Sequence, residues 1–403
     1  MKIAFSIDRF VGVTGGAERV LCMIASGLAQ RGHMVEILTA DPEDGSPFYS
    51  LDPAVRIVRL SPSPGLRSRL AGKINNALHR FGLTHKWTGS YLAWYFTRRP
   101  LHRLFKTYLN QSRPDVGIAF MRGGIGLMVH GAPGFPKHKI ASLHNMPAEE
   151  LDLRFDTRFL YQRLIGIQAI KEFDWITVLS PGFLDGLSPE LRARACAIPN
   201  IISASEDVTP WDNRESLVVA VSRLVSNKRI DMLIAAWANV VGRFPAWRLE
   251  IYGQGPEAAT LQARIADLGL ESSVRLMGVT RDIDTIHGRA RLMAHPSAFE
   301  GFPLAVGEAL TRGVPVLGFA DCPGLNHLVQ DGVNGRLVPP EADRVAALSD
   351  VLAELLADPA QLQSLGENGP SSMSPYAAEA ILDQWEALLQ EVMHEGEGSA
   401  PRG

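Results

Sequence analysis

The sequence predicts an α/β protein built from two Rossmann-like, doubly wound parallel sheets. Three observations point there. The chain has 403 residues, more than one compact core organises well, so two domains are expected. Short apolar runs alternate with longer amphipathic ones, the pattern of parallel strands covered by helices on both faces. A polar stretch without periodicity, SASEDVTPWDNRE (203–215), separates two such series.

The first series opens with KIAFSI (2–7), read as a buried strand. AERVLCMIASGLAQRG (17–32) follows, with Val20, Leu21, Ile24 and Leu28 at helical spacing. MVEILT (34–39), VRIVRL (55–60), DVGIAF (115–120), KIASLH (139–144), WITVLS (175–180) and ACAIPN (195–200) continue the strands. The second series runs LVVAVSRL (217–224), a helix over 230–242, RLEIYG (248–253), a helix over 256–268 and VRLMG (274–278). It continues with a short helix near 282–288, RLMAHP (291–296), a helix from Pro303 and VPVLGF (314–319). Residues 347–356 and 377–393 read as helices. The expected division is 1–202, 203–376, a helix 377–393 crossing back to the first domain, and a disordered tail 394–403. Open α/β sheets bind ligands beyond the carboxyl ends of their strands. Two such sheets facing across a cleft would place the site there.

Composition is that of an ordinary globular protein, 46% hydrophobic and 21% charged, with net charge −3. No general affinity for nucleic acid follows from that balance. Cys22, Cys196 and Cys322 lie far apart, which fits a reducing compartment without a thiolate metal site. The N-terminus carries too few apolar residues for a secretory signal, and no apolar run approaches the roughly 18 residues of a spanning helix. A cytoplasmic location is expected.

Four stretches carry chemistry. VGVTGGAERV (11–20) sets Gly15 and Gly16 between the first strand and helix, where glycine loosens the backbone and a helix start faces anions. A plain tight turn explains the pair as well. There is no G-x-G-x-x-G, which argues against a nicotinamide dinucleotide. In SRLVSNKRID (222–231), Arg223 and Lys228 stand on one strand-end loop, and two cations suit a diphosphate. Solvated surface cations are the ordinary alternative. Gly253 and Gly255 end another strand before Pro256, allowing close approach to a base or ribose, or simply a strand–helix turn. In HPSAFEGFPLAVGEAL (295–310), Gly301 and Pro303 make one continuous helix unlikely over 300–308. Glu300 therefore falls in a loop and Glu308 inside a helix. The amides of Gly301, Phe302 and Leu304, around Pro303, would face phosphate or sugar. Each carboxylate suits a diol, because its two oxygens accept from two hydroxyls.

On these residues the chain resembles the family 4, or group 1, retaining glycosyltransferases of the GT-B fold. Glu300 and Glu308 match the family's E-x7-E motif. Ser222, Arg223, Leu224, Lys228, Asp231, Leu233 and Ile234 match its strand-end basic stretch. Gly253, Gly255 and Pro256 match its G-x-G-P turn, with further elements at 313–316, 331–335 and 15–19. The resemblance runs from about residue 2 to 393 and is weakest across 61–113. It implies that Arg223 and Lys228 hold the donor diphosphate and that Glu308 binds the ribose. Glu300, with the 301–304 amides, would bind the hexose. His144 would be the active-site histidine near the anomeric carbon, although a lone strand-end histidine is more often structural. Gly15 and Gly16 would border the diphosphate and acceptor. One departure is DCPGLNHLVQ (321–330), where Asn326 and His327 stand near the place of a family glutamate.

The implied reaction moves a hexose from a UDP- or GDP-sugar, with retention and with no cofactor. The chain is read as having no D-x-D pair to hold Mg²⁺ against the diphosphate, so Arg223, Lys228 and helix amides would neutralise the leaving group. The glutamates would be binders, unlike a hydrolase acid/base pair. Residues 53–114 contain twelve Lys/Arg and no Asp or Glu. Within this basic segment (62–110), Leu66, Leu70, Ile74, Leu78 and Phe81 share a helical face, with Arg67, Arg69, Lys73 and Arg80 elsewhere. Leu101, Leu104, Phe105 and Tyr108 share another, opposite Arg99, Arg103 and Lys106. Basic amphipathic helices joined by aromatics fit an anionic membrane surface, contacted through 66–108. Ordinary helices with a solvated basic face are the alternative. The expected acceptor is a saccharide, lipid-linked on the inner face of the cell membrane, in surface polysaccharide synthesis. A soluble disaccharide or glucan synthase and an inactive sugar-binding partner subunit are the competing readings.

Overall fold

A computed structural model describes residues 1–41, 45–61, 99–131, 135–151, 170–203, 208–280 and 282–398 of the chain. They form two compact units, 1–201 with 381–403, and 202–380.

The first unit is built on a seven-stranded sheet. Its strands are β1 (Lys2–Ile7), β2 (Met34–Thr39), β3 (Arg56–Arg59), β4 (Val116–Phe120), β5 (His138–Ser142), β6 (Trp175–Val178) and β7 (Ala195–Ala197). Every pairing is parallel, in the order β3-β2-β1-β4-β5-β6-β7. Strand β4 is buried along its whole length and β1 along all but its first residue. That explains why their sequences are continuous apolar runs without alternation. Helix α1 (Gly16–Gln30) buries Val20, Leu21, Ile24 and Leu28, the face its periodicity marks.

Helix α2 (Arg99–Ser112) belongs to the basic segment and buries Leu101, Phe105 and Leu109. Leu104 does not join them. It is 38% exposed, beside exposed Arg103 and Lys106, because the buried arc follows positions i, i+4 and i+8. The helix is tied to the sheet where Tyr108 Oη and Ser112 Oγ donate to Glu36 at 2.9 and 2.8 Å. The amphipathic pattern over 66–81 lies outside the described residues. Helix α3 (Met121–Gly131) starts directly at the end of β4, with Met121 in the left-handed region at φ 57°.

The second unit carries six parallel strands, β8 (Leu217–Val221), β9 (Arg248–Tyr252), β10 (Val274–Gly278), β11 (Leu292–His295), β12 (Val316–Phe319) and β13 (Gly335–Val338). Their order is β10-β9-β8-β11-β12-β13, the same winding as in the first unit. Strand β13 was not expected. Its Gly-Arg-Leu-Val run is short and half polar, and only pairing with β12 reveals it. Helices α4 (Ile230–Val240), α5 (Ala258–Asp267), α6 (Ile283–Arg289) and α7 (Leu304–Thr311) fill crossovers, and α8 (Arg344–Ala357) follows β13. Fully buried Trp237 of α4 packs with Leu249, Ile251 and Leu352, and its indole N–H reaches Ser273 Oγ at 3.2 Å.

The last helix, α9 (Ala378–Gly398), leaves the second unit and joins the first. Arg31 bonds Asp383 at 2.7 Å and Glu386 at 2.9 Å, and His33 meets Glu386 at 3.1 Å. Its backbone stays helical to Gly398, so residues 394–398 are not the disordered tail expected there. Glutamates 395 and 397 are good helix formers and continue the last turns. Residues 399–403 lie outside the described set. Among the described residues no helix is long and apolar enough to cross a membrane.

Candidate functional site

The strand order of the second sheet reverses between β8 and β11, and at such a point the crossovers diverge and leave the strand ends open. Strand β8 runs into Ser222 and Arg223. Strand β11 ends at His295 and runs into Ser297 and Glu300.

Lys228 and Glu300 meet there. Lys228 Nζ lies 2.5 Å from Glu300 Oε1, and both side chains are about nine-tenths buried. His295 Nε2 reaches the same oxygen at 2.6 Å and Ser297 Oγ at 3.1 Å. Burial pushes the Glu300 carboxyl up, but the His295 hydrogen bond and charge, together with Lys228, more than offset it and hold it at about 2. Glu300 is therefore ionised over the whole working range, not a proton donor. Lys228 is followed by Arg229 in the left-handed region, φ 51°, at the start of α4. A non-glycine residue pays strain for that conformation, and such strain collects at functional turns.

Arg223 is different. It is exposed, and its side chain makes no hydrogen bond or ion pair among the described residues. Gly253 and Gly255 explain how its loop is set. Gly253 has φ 143°, and a Cβ there would lie 1.8 Å from Ser222 O. A Cβ on Gly255 would lie 2.1 Å from Leu224 O, and Leu224 N donates to Gln254 O at 2.9 Å. These glycines serve close packing of the two strand-end loops around Arg223.

The loop–helix division of the two glutamates is as expected, with Pro303 as the cap residue and Leu304 the first helical one. Glu308 lies in the second turn of α7, 5% exposed. Phe302 and Pro303 are buried, Gly301 and Leu304 half-buried. The N–H groups of Gly301, Phe302 and Leu304 donate no hydrogen bond among the described residues. They are free donors at a helix start. In the departing loop, a Cβ on Gly324 would lie 2.4 Å from Glu300 O. His327 packs edge-on to Phe302 and Tyr376, at 6.3 and 5.7 Å between ring centres.

A D-x-D pair passed over in the sequence, Asp282 and Asp284, opens α6 after the outermost strand β10. Asp282 caps that helix by accepting from Thr285 N at 3.0 Å, and Asp284 pairs with Arg312. Both acids have structural partners.

In the first unit, His144 lies just past β5, 8% exposed, with its ring stacked on Phe120 at 3.9 Å. Nε2 is 3.0 Å from Ser142 Oγ, which accepts from Thr177 Oγ1 at 2.9 Å. Burial drives its imidazole down to about 3, so the ring is neutral. Sequence reasoning missed Glu150. Its carboxylate accepts from His144 N and Asn145 N, each at 2.9 Å, and so pins the loop that carries His144. Gly15 precedes α1 at φ −78°, so no unusual backbone is needed there. A side chain at that position would instead meet the Glu18 carboxylate, 2.0 Å from the added Cβ. Gly16 is the first helical residue.

Residues 202–372 match the model of the family described as glycosyl transferases group 1. An exopolysaccharide phosphotransferase of Streptomyces coelicolor is 29% identical over 412 residues, covering 98% of this chain. The chain spans only 41% of that relative's length. Among solved structures, sucrose-phosphate synthase from Thermosynechococcus elongatus superposes with a TM-score of 0.75 at 21% identity, covering 98% of this chain and 99% of that one. Anabaena HepE, solved with UDP and glucose, gives 0.70 at 19% identity, covering 97% and 99%. The two sheets and their winding are the fold of these enzymes.

Proposed function

From the premise that this chain belongs to the group 1 glycosyltransferases, we propose that it moves a hexose from a UDP- or GDP-sugar to a saccharide acceptor, with retention at the anomeric carbon. One observation carries the reading. Lys228 and Glu300 are joined across the reversal point of the second sheet, and the Arg223 side chain and the N–H groups of Gly301, Phe302 and Leu304, without partners among the described residues, lie on the same strand ends.

In this reading Arg223, Lys228 and the amides take the diphosphate and carry the charge that develops as it leaves. Their positive charge does the work a divalent ion does elsewhere, so transfer proceeds without added metal. Glu308 binds the ribose diol and Glu300 the hexose. Neutral His144 acts as a hydrogen-bonding neighbour of the reacting centre. The leaving phosphate takes the acceptor's proton, so no protein base is required. UDP bound to Anabaena HepE supports a uridine donor. The exopolysaccharide role named for the Streptomyces relative supports a saccharide acceptor in polysaccharide synthesis, and we infer a lipid-linked one at the inner membrane face.

A second reading, a synthase working on a free sugar, is favoured by α2, which turns Leu101, Phe105 and Leu109 inward and leaves mainly polar and charged residues outside.

Thermal shift with UDP, GDP, ADP and their sugars tests the donor site. One nucleotide diphosphate should raise the midpoint of the wild type. Arg223→Ala should weaken that ligand about 10- to 100-fold, since a charge-assisted contact contributes roughly 1.5–3 kcal/mol. Unchanged affinity in both Arg223→Ala and Lys228→Ala would remove these residues from the site.

A further inference from the structure

His295 has no role in the scheme above, yet it is 3% exposed at the end of β11 and in contact with the residue proposed to hold the hexose. Its Nε2 and Lys228 Nζ converge on one oxygen, Glu300 Oε1, at 2.6 and 2.5 Å. The other oxygen, Oε2, takes no hydrogen bond among the described residues and is not sealed from solvent. An ionised carboxylate only accepts, so a separation of 2.6 Å requires the proton on Nε2. The ring then donates to Glu300, and the Ser297 hydroxyl oxygen lies beside the same N–H.

We propose that His295 is the positioning residue for Glu300: it fixes Oε1 so that Oε2 is presented to a hydroxyl of the donor hexose. The inference rests on the donor reading above. The two donors to Oε1 differ in what a ligand does to them. Lys228 has a flexible four-carbon stem and three N–H bonds, and an arriving diphosphate competes for it. His295 cannot follow. Its backbone is held in the sheet opposite Gly318 of β12, where a Cβ would lie 2.7 Å from His295 O. Its ring is buried with two rotatable bonds. When Lys228 turns toward phosphate, His295 is the contact that keeps the carboxylate in place. The strand β8 side of the site responds to the ligand, while the β11 side stays rigid.

The test compares two affinities in the full-length protein by calorimetry, for the free nucleotide diphosphate and for its sugar. Variants are His295→Ala, His295→Gln, Glu300→Gln and the double variant His295→Ala/Glu300→Gln. His295→Ala should weaken the nucleotide sugar at least tenfold while leaving the free nucleotide within about threefold. Glu300→Gln should do the same, and the double variant should be no worse than either, because the two residues act as one unit. His295→Gln retains an N–H donor and should recover part of the loss, and it keeps the test usable if alanine unfolds the site. Equal weakening of both ligands by His295→Ala would make the histidine structural and overturn the inference. So would full additivity with Glu300→Gln, or no effect at all. A wild type that binds no nucleotide would overturn the donor reading first and this inference with it.

Discussion

Glu300 and Glu308 look alike in the sequence, two carboxylates eight positions apart, and the backbone gives them different tasks. Gly301 and Pro303 stop a continuous helix, so the loop–helix division was legible from covalent geometry alone. What surrounds Glu300 was not. A single histidine five residues earlier carries no one-dimensional signal, because its ring reaches the carboxylate only once β11 and the following loop are folded. Glu150 was illegible for the same reason: it acts on backbone N–H groups, which every residue possesses. Its titration yields a prediction. Burial raises its carboxyl from 4.5 to about 7, against hydrogen bonds from the backbone of Asn145, His144 and Arg122 and the charge of Arg122. A raised folded value means the stabilising contribution is complete below pH 4.5 and is lost as pH rises through about 7. Thermal midpoints of wild type and Glu150→Gln should therefore diverge between pH 4.5 and 8. The wild type should lose about 1–3 kcal/mol, a few degrees, relative to the variant. Parallel curves would show that this carboxyl does not titrate in that window.

The strands and the longer helices were readable, since a buried parallel strand must be apolar throughout and a covering helix must be apolar on one face. The half-polar β13 escaped because its pairing, not its composition, makes it a strand. Helix α2 shows the limit of face counting. Four apolar residues fit one broad face, but the body of the unit covers an arc that excludes Leu104. That changes what this helix can offer a membrane. With Leu101 and Phe105 committed to the core, attraction through α2 is mainly electrostatic, about 1 kcal/mol for each Lys or Arg near an anionic surface. Replacing Arg99, Arg103 and Lys106 by Glu should release the protein from anionic vesicles at low salt. Added salt should do the same to the wild type, within the screening expected near 0.15 M. Sedimentation of the triple variant equal to wild type would leave the basic face as solvated surface and move the free-sugar synthase ahead.

Both units wind their sheets in the same order without any sequence repeat between them. The shared architecture follows from alternating strand and helix patterns, since a right-handed crossover on a parallel sheet leaves few alternatives. Winding also fixes where ligands sit, and in the second unit it gathers Arg223, Lys228, His295 and Glu300 from segments about seventy residues apart. The sequence placed most of those residues on strand ends. It could not show that Lys228 is already paired while the Arg223 side chain has no partner among the described residues. That difference makes the donor diphosphate the ligand on which the proposed chemistry depends. The most direct measurement follows the donor's anomeric proton by NMR, with a membrane-lipid extract as acceptor and excess EDTA present. One nucleotide sugar should be consumed, its diphosphate should accumulate, and the transferred sugar should keep the donor's anomeric configuration, with the rate cut at least tenfold in Lys228→Ala. Inversion of configuration, or turnover that EDTA abolishes and Mg²⁺ or Mn²⁺ restores, would contradict the proposed mechanism.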